Sequence, residues 1–223
     1  MTIPKNILLI SMPRSGTHLV KSSLAKHLEV RTKDVATDNI DLDEVNFYGS
    51  GVSRNFYSLH IDNLELWLKG KVERFNQIIE NRNIHVVFLD RKDFTELVLS
   101  RAIAEQLGWK SNSPKFKKKN RLKKINLEKA YRDTVRLRYH NNLDKIGLTF
   151  HETIYYEGIL EDGLFINNHE IPIEFNPPEA DDLSVIRNPP KSESITNYDQ
   201  VLKWMEEFSK VYNEDWVPVI RWG

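Results

Sequence analysis

The 223-residue chain contains no cysteine, carries no net charge at neutral pH and has no long hydrophobic run. The absence of cysteine excludes a disulfide scaffold, a thiolate nucleophile and a zinc site with cysteine ligands. Because 32 basic and 32 acidic side chains cancel, the composition argues against a general nucleic-acid or membrane-surface binder. No stretch approaches the roughly 18 apolar residues that a membrane span needs, so the sequence predicts a soluble, cytoplasmic protein with no membrane partner.

Common catalytic and metal-binding patterns are also missing. The seven histidines show no H-E-x-x-H or similar pairing, so we expect no metal site. Spacing alone gives no Ser-His-Asp arrangement. The basic run at 115–124 contains a single aromatic residue, Phe116, which is too little for stacking on bases, so nucleic acid is not an expected partner.

Apolar strand patterns alternate with amphipathic helix patterns along the chain. Continuous apolar runs at 6–11 and 84–89 are typical of strands buried on both faces. We therefore predict an α/β fold of three layers, with a mostly parallel central sheet flanked by helices, in a single domain over 1–223. The remaining patterns predict strands at 56–61 and 147–151, a hairpin around Asn167–Asn168, and helices at 17–28, 64–81, 94–107, 127–146 and 197–212.

A short loop at 13–19, with the sequence PRSGTHL, joins the first strand to the first helix. Backbone N–H groups at a helix start, together with the helix dipole, favour a phosphate-like anion there. Gly16 allows close approach of the backbone, and Arg14 can chelate two oxygens. Ser15 and Thr17 offer hydroxyl donors. The alternative is an ordinary turn in which Thr17 is the N-cap, but the buried strand and Arg14 favour the anion site.

The loop is not a Walker motif. That motif reads G-x-x-x-x-G-K-[ST], with a lysine that reaches the phosphates and a hydroxyl that binds Mg²⁺. Here the first glycine is missing and Thr17 stands where the lysine is needed. Magnesium-dependent phosphoryl transfer from ATP is therefore disfavoured.

The loop at 13–19 resembles the 5′-phosphosulfate loop of sulfotransferases that use 3′-phosphoadenosine-5′-phosphosulfate (PAPS), which typically reads P-[RK]-S-G-T-[TS]-[LW]. Six of the seven positions match in type; His18 replaces the usual hydroxyl residue, which removes a side-chain donor but keeps the backbone N–H. The resemblance implies a P-loop-NTPase-like fold, PAPS as the donor cosubstrate and 3′-phosphoadenosine 5′-phosphate (PAP) as the product. It assigns donor binding to Arg14, Ser15, Gly16, Thr17 and His18.

The family's second signature is an arginine at the end of a later strand and a serine eight or nine residues on, which together hold the 3′-phosphate of the donor. Arg91 follows the second apolar strand and Ser100 lies nine residues later, so the resemblance assigns them this role, with Lys92 as an alternative cation. The segment 191–201 resembles a late loop of some bacterial members in which a basic residue covers the donor. Lys191 is therefore a candidate contact, and its alternative is a solvated loop lysine.

Sulfuryl transfer needs a base for the acceptor proton and positive groups for the charge that builds on the transferring group. Arg14 suits the second role and stays protonated, so it cannot be the base. In many family members the base is a histidine after the second strand, and His60 stands at the matching place. An unperturbed histidine pKa near ~6.5 suits this task. The alternative bases are Glu44, Asp43, Asp62 and His18.

Residues 31–55 and 108–185 match the family frame least, and we expect these insertions to line the acceptor pocket. The acceptor would be a small molecule or a glycan with a hydroxyl group or, as a second choice, an amine. The basic run at 115–124 is either a solvated loop or an electropositive rim that attracts an anionic acceptor such as a carboxylated or sulfated glycan. His151–Glu152 and Tyr156–Glu157 are competing matches to the family's Tyr-Glu-Asp segment, so neither is given a role.

The sequence thus predicts a PAPS-dependent sulfotransferase, with two other functions left open. One is an ATP-dependent P-loop-type kinase, against which the missing lysine after Gly16 argues. The other is a catalytically inactive relative that binds nucleotide or glycan, because the polar segment 31–55 has no clear active-site match.

Overall fold

The computed structural model describes residues 3–27, 30–35, 54–60, 68, 70–107, 119–140, 142–175, 190–213 and 216. The chain divides into two compact units. The first consists of Met1–Lys92 and Asn141–Phe175, and the second of Asp93–His140 and Asn176–Gly223. The single domain over 1–223 that the sequence predicts stays a prediction.

Five parallel strands form the sheet of the first unit, in the order β2-β3-β1-β4-β5. These strands are β1 (Asn6–Ser11), β2 (Val30–Val35), β3 (Arg54–His60), β4 (Ile84–Asp90) and β5 (Glu152–Tyr155). The helices whose bounds lie in the described ranges are α1 (Thr17–His27), α2 (Val72–Asn81), α3 (Phe94–Leu107), α4 (Lys124–His140), α5 (Leu143–Ile146), α6 (Tyr156–Asp162), α7 (Lys191–Ser194) and α8 (Tyr198–Ser209). The predicted α/β class with a parallel sheet and flanking helices is confirmed.

The apolar sequences of β1 and β4 explain their place inside the sheet. Every residue of β1 after Asn6 is buried, and β1 pairs with β3 on one side and with β4 on the other. Burial of each large aliphatic side chain contributes roughly 1.5–3 kcal/mol, so these runs favour interior strands. One core cluster combines Leu8, Ile10, Ile84, Val86 and Leu148 with Phe75 and Ile79 of α2.

β2 and β5 are the two edge strands, and the sequence predictions were wrong for both. β2 lies in a stretch expected to be a loop, and β5 begins at Glu152, after the strand predicted at 147–151. Their sequences, VRTKDV and ETIY, lack a continuous apolar run, which an edge strand does not need because it pairs on one side only. Both ends of the 31–55 segment, 31–35 and 54–55, and residues 152–155 of the 108–185 segment therefore lie in the sheet.

The predicted hairpin around Asn167–Asn168 is confirmed. β6 (Leu164–Ile166) and β7 (His169–Ile171) pair antiparallel. Asn167 and Asn168 have φ angles of 50° and 62°. Two successive left-handed residues are what a type I′ turn requires, and asparagine adopts this conformation more easily than most residues.

The helix predicted at 127–146 is two helices. α4 ends at His140, and α5 begins at Leu143. The Asn142 side-chain oxygen accepts the Lys145 N–H at 3.0 Å, so Asn142 caps a new helix start. An asparagine inside an amphipathic pattern thus ends one helix and begins another.

The second unit is built around α3, α4 and α8. Their buried faces form one cluster that includes Leu99, Ile103, Leu127, Tyr131, Val201 and Phe208. None of the helices in the described part of the chain is long and apolar enough to cross a membrane.

The described part of the basic run, 119–124, lies in the second unit. Lys119, Arg121 and Lys123 are exposed, and the Lys124 ammonium donates to a Glu207 carboxylate oxygen at 2.7 Å. Solvated side chains with one surface ion pair fit the solvated-loop interpretation. Residues 115–118 lie outside the described part.

Candidate anion-binding site at the ends of β1 and β4

The loops after β1 and β4 leave the same edge of the sheet from neighbouring strands. Ser11, the last residue of β1, is in register with Leu89 of β4, and the Met12 N–H donates to the Leu89 carbonyl at 3.3 Å. In the strand order, the chain passes from β1 to β2 toward one edge of the sheet, whereas it passes from β4 to β5 toward the opposite edge. Such a reversal opens a crevice at the carboxyl ends of the two strands, which is where open α/β sheets bind ligands.

The first loop ends at a glycine, where α1 starts. The Gly16 carbonyl accepts the Val20 N–H at 3.3 Å, so Gly16 is the N-cap and α1 begins at Thr17. The alternative in which Thr17 caps the helix is therefore wrong. Glycine supplies no side-chain acceptor, and first-turn N–H groups have no acceptor within the helix. A helix start of this kind favours a phosphate or sulfate group.

The hydroxyl groups of Ser15 and Thr17 hold the loop in shape. Ser15 Oγ donates to the Met12 carbonyl at 2.6 Å, and Thr17 Oγ1 donates to Ser11 Oγ at 2.8 Å. Both side chains are buried. Each hydroxyl has one proton, which is used inside the loop. The role of these hydroxyls as donors to a ligand stays a prediction. The side chain of His18, in the first helical turn, is exposed.

Arg14 combines an unusual backbone with an electrostatic contact to the second loop. Its φ angle is 72°, a left-handed conformation that costs a residue with a side chain about 1 kcal/mol or more. Burial lowers the pKa of the Arg14 guanidinium, and repulsion from Arg91 lowers it further. Arginine stays charged despite such shifts. The loops after β1 and β4 therefore carry two positive charges, those of Arg14 and Arg91, that repel each other.

The second loop brings Arg91 and Lys92 directly after β4. The Arg91 side chain is only 12% exposed, and its Nε lies 3.4 Å from Glu157 Oε1. Lys92 is exposed, and its ammonium lies 5.0 Å from the centre of the Tyr155 ring. Arg91 is therefore the more enclosed of the two cations that the sequence nominates.

Tyr156 and Glu157, to which the sequence assigns no role, also belong to this site. Tyr156 and Glu157 begin α6 directly after β5, whose last residue is in register with Asp90 of β4. The Arg91 guanidinium lies 4.6 Å from the centre of the Tyr156 ring, and the Lys92 N–H donates to Glu157 Oε2 at 2.8 Å. Their Tyr-Glu pattern is the only signal in the sequence that could have identified them.

The competing Tyr-Glu-Asp match at His151–Glu152 lies at the other end of β5. Glu152 is the first residue of that strand, and its Oε1 lies 2.7 Å from Nε2 of His85, near the start of β4. Of the two competing matches, Tyr156–Glu157 is therefore the one at the carboxyl ends of the strands. His151–Glu152 form a separate contact near the starts of the same strands.

Gly16→Ala should lower the free energy of unfolding by about 2–4 kcal/mol. Gly16 has a φ of +99°, which a Cβ disfavours, and an added Cβ would overlap the Tyr156 ring. The strained backbone accounts for about 1 kcal/mol or more, and overpacking against the ring adds about 1–3 kcal/mol. Denaturant-induced unfolding measures the loss.

Gly147→Ala is the matched control for this substitution. Gly147 also has a positive φ, +76°, but no atom lies within 4 Å of an added Cβ. We expect it to lose only the backbone contribution. Equal losses in the two variants would contradict the packing of Tyr156 against the first loop.

Ser100 and Lys191, the other two predicted donor contacts, lie in the second unit. Ser100 is buried in α3. Lys191 begins α7, and its side chain is 6% exposed with Nζ 3.9 Å from Glu96 Oε2. The alternative of a solvated loop lysine is therefore wrong. The pKa of the nearby Tyr198 is raised by burial and then by the carboxylates of Glu96 and Asp93, so Lys191 lies in a partly acidic environment.

His60 ends β3 at the same edge of the sheet. It is in register with Ser11, so the backbone of this residue lies beside the end of β1. The alternative bases Glu44, Asp43 and Asp62 lie outside the described residues. The structure thus brings Arg14, Arg91 and the backbone of His60 to one edge, in neighbouring strands or the loops that follow them.

Comparison with protein-family models finds no match to this chain, and comparison with curated proteins finds no significant relative. Within the ranges that the structure describes, no group of three or more histidine or acidic side chains is arranged to hold a metal ion.

Proposed function

We propose that the protein is a cytoplasmic PAPS-dependent sulfotransferase with a P-loop-NTPase-like fold. The observation that carries the proposal is the placement of Arg14 and Arg91 on loops that leave adjacent strand ends and interact electrostatically. A donor with a 5′-phosphosulfate and a 3′-phosphate has two anionic ends. Two neighbouring arginines, one of them beside a helix start, match a ligand with two anionic ends better than they match a ligand with a single phosphate.

The proposed reaction is an in-line displacement at sulfur. The acceptor oxygen forms a bond to the sulfur atom, the bond from sulfur to the bridging phosphate oxygen breaks, and PAP leaves. A base takes the acceptor proton. Arg14 and the first-turn N–H groups of α1 would stabilise the charge on the transferring group and on the bridging oxygen. No covalent enzyme intermediate is needed, by analogy with phosphoryl transfer.

Under this proposal Arg91 binds the 3′-phosphate and His60 is the base, while the roles that the resemblance gives to Ser100 and Lys191 stay predictions. The acceptor is a hydroxyl compound, either a small molecule or a glycan. His60 supports the base role because its backbone lies beside the end of β1. The loop without a Walker lysine supports sulfuryl over phosphoryl transfer.

Thermal unfolding with added nucleotides tests the donor class. PAP should stabilise the protein, because a ligand that binds only the folded state at about 100 times its Kd contributes about 2.7 kcal/mol. For a chain of this size that is roughly 5–10 °C in Tm. AMP, ADP and ATP at the same concentration should each give a smaller shift. A larger shift with ATP and Mg²⁺ than with PAP would favour the kinase alternative and contradict the proposal.

A further inference from the structure

Tyr156 and Glu157 contact both anion-binding loops of the first unit. The Tyr156 ring packs against Gly16 of the first loop and lies under the guanidinium of Arg91 in the second. Glu157 contacts Arg91 through one carboxylate oxygen and the Lys92 backbone through the other. Two successive residues at the start of α6 therefore connect the loops that follow β1 and β4.

We infer that Tyr156 and Glu157 are positioning residues that fix Arg91 relative to the first loop and so set the preference of the site for an anion with two charged ends. This inference rests on the proposed function. It assigns neither residue to the chemistry of transfer, because both act through Arg91.

The Glu157 carboxylate lies beside the Nε edge of the Arg91 guanidinium and forms an ion pair with it. Its Oε1 lies 3.4 Å from Arg91 Nε, while its Oε2 accepts the Lys92 N–H at 2.8 Å. The backbone bond anchors the carboxylate, so the ion pair has a defined direction. A guanidinium is a planar fork that chelates two phosphate oxygens only in the right orientation. The anchored carboxylate of Glu157 therefore favours one placement of the Arg91 guanidinium.

The Tyr156 ring fixes the spacing between the loops. One part of the ring lies where a Cβ on Gly16 would be, and the Arg91 guanidinium lies 4.6 Å from the ring centre. A cation over an aromatic face is attracted to it. Since one rigid ring contacts both loops, it holds the helix start of α1 and the guanidinium of Arg91 at a set separation.

Charge repulsion alone gives the opposite expectation for Glu157. Arg14, Arg91 and Glu157 together carry one net positive charge, and removal of the carboxylate would leave two. If Glu157 acted only through its charge, its neutralisation would strengthen the binding of every anion. If it positions Arg91, neutralisation weakens only the ligand that reaches Arg91.

Glu157→Gln separates these cases when PAP and AMP are compared by calorimetry, because AMP lacks the 3′-phosphate that Arg91 is proposed to bind. We expect PAP affinity to fall about tenfold, by analogy with metal sites, where loss of a side chain that orients a ligating residue has an effect of about this size. AMP affinity should change by less than about twofold. Tyr156→Leu should show the same selective loss, and Tyr156→Phe, which keeps the ring, should restore PAP binding.

Glu174→Gln is the matched charge control. Glu174 forms an exposed ion pair with Lys26 in the last turn of α1, at the opposite end of that helix from the first loop. This variant changes the net charge by the same amount, and the PAP to AMP affinity ratio should stay at the wild-type value.

Two results would overturn the positioning role. One is an unchanged PAP to AMP ratio in Glu157→Gln, and the other is a gain of affinity for both ligands. Failure of the proposed function gives a different result. The wild-type protein would then bind PAP no more tightly than AMP, before any substitution is made.

Discussion

Arg91→Ala should weaken PAP binding by about 1.5–3 kcal/mol, or roughly 10- to 150-fold, because a charge-assisted hydrogen bond to phosphate is lost. The Arg91 side chain is largely enclosed and paired with Glu157, so its removal has a second effect in addition to the lost phosphate contact. The Glu157 carboxylate would remain beside the ligand without its cation and would repel the 3′-phosphate. AMP should bind the variant about as tightly as the wild type. Calorimetric titration of both nucleotides measures the difference.

Lys92→Ala is the control for this experiment. Lys92 is adjacent in sequence and carries the same charge, but its side chain is exposed and its ammonium lies over the Tyr155 ring. Only its backbone N–H contacts Glu157, and alanine keeps that group. A loss of PAP affinity in Lys92→Ala with Arg91→Ala unchanged would move the 3′-phosphate contact to Lys92.

His60→Ala should cut turnover by roughly 10²- to 10⁴-fold, the usual effect of removing a general base, while PAP affinity stays close to wild type. The expectation follows from the position of His60 at the end of β3, in register with Ser11 at the end of β1. A base at this edge lies near the loop that would hold the sulfuryl group. The assay measures PAP release from PAPS with a panel of phenols, alkanols and glycans as acceptors.

His18→Ala provides the comparison, since His18 is the other histidine near the first loop. Its side chain is exposed in the first turn of α1, and we expect its removal to cost less turnover than that of His60. Normal turnover in His60→Ala would move the base role to Glu44 or another carboxylate.

The central strands and the first loop could be predicted because their signals are local. The apolar run of β1, the Gly16 turn and the stripe of α1 are contiguous in sequence, and each favours the same structure. The asparagine pair at 167–168 likewise determines its own turn, since both residues accept a positive φ. Arg14 and Arg91 could be nominated because strand-end loops in parallel sheets carry ligand contacts.

The remainder of the site depends on strand order, which no local pattern encodes. Tyr156 and Glu157 reach Arg91 because β5 pairs with β4 in a register that places Asp90 opposite Tyr155. Lys191 is buried against Glu96, although 95 positions separate them in the chain. A polar edge strand and a buried lysine both depend on neighbours that are distant in sequence.

The sequence by itself determined the buried strands, the glycine turn into α1 and the two arginines, since apolar periodicity and backbone preference act over a few residues. The tertiary structure decided which strand lies beside which, and with it the contact of Tyr156 and Glu157 with the loops after β1 and β4. Pairing between distant segments is selected by the packing of the whole sheet, so it becomes visible only once the strands are assembled.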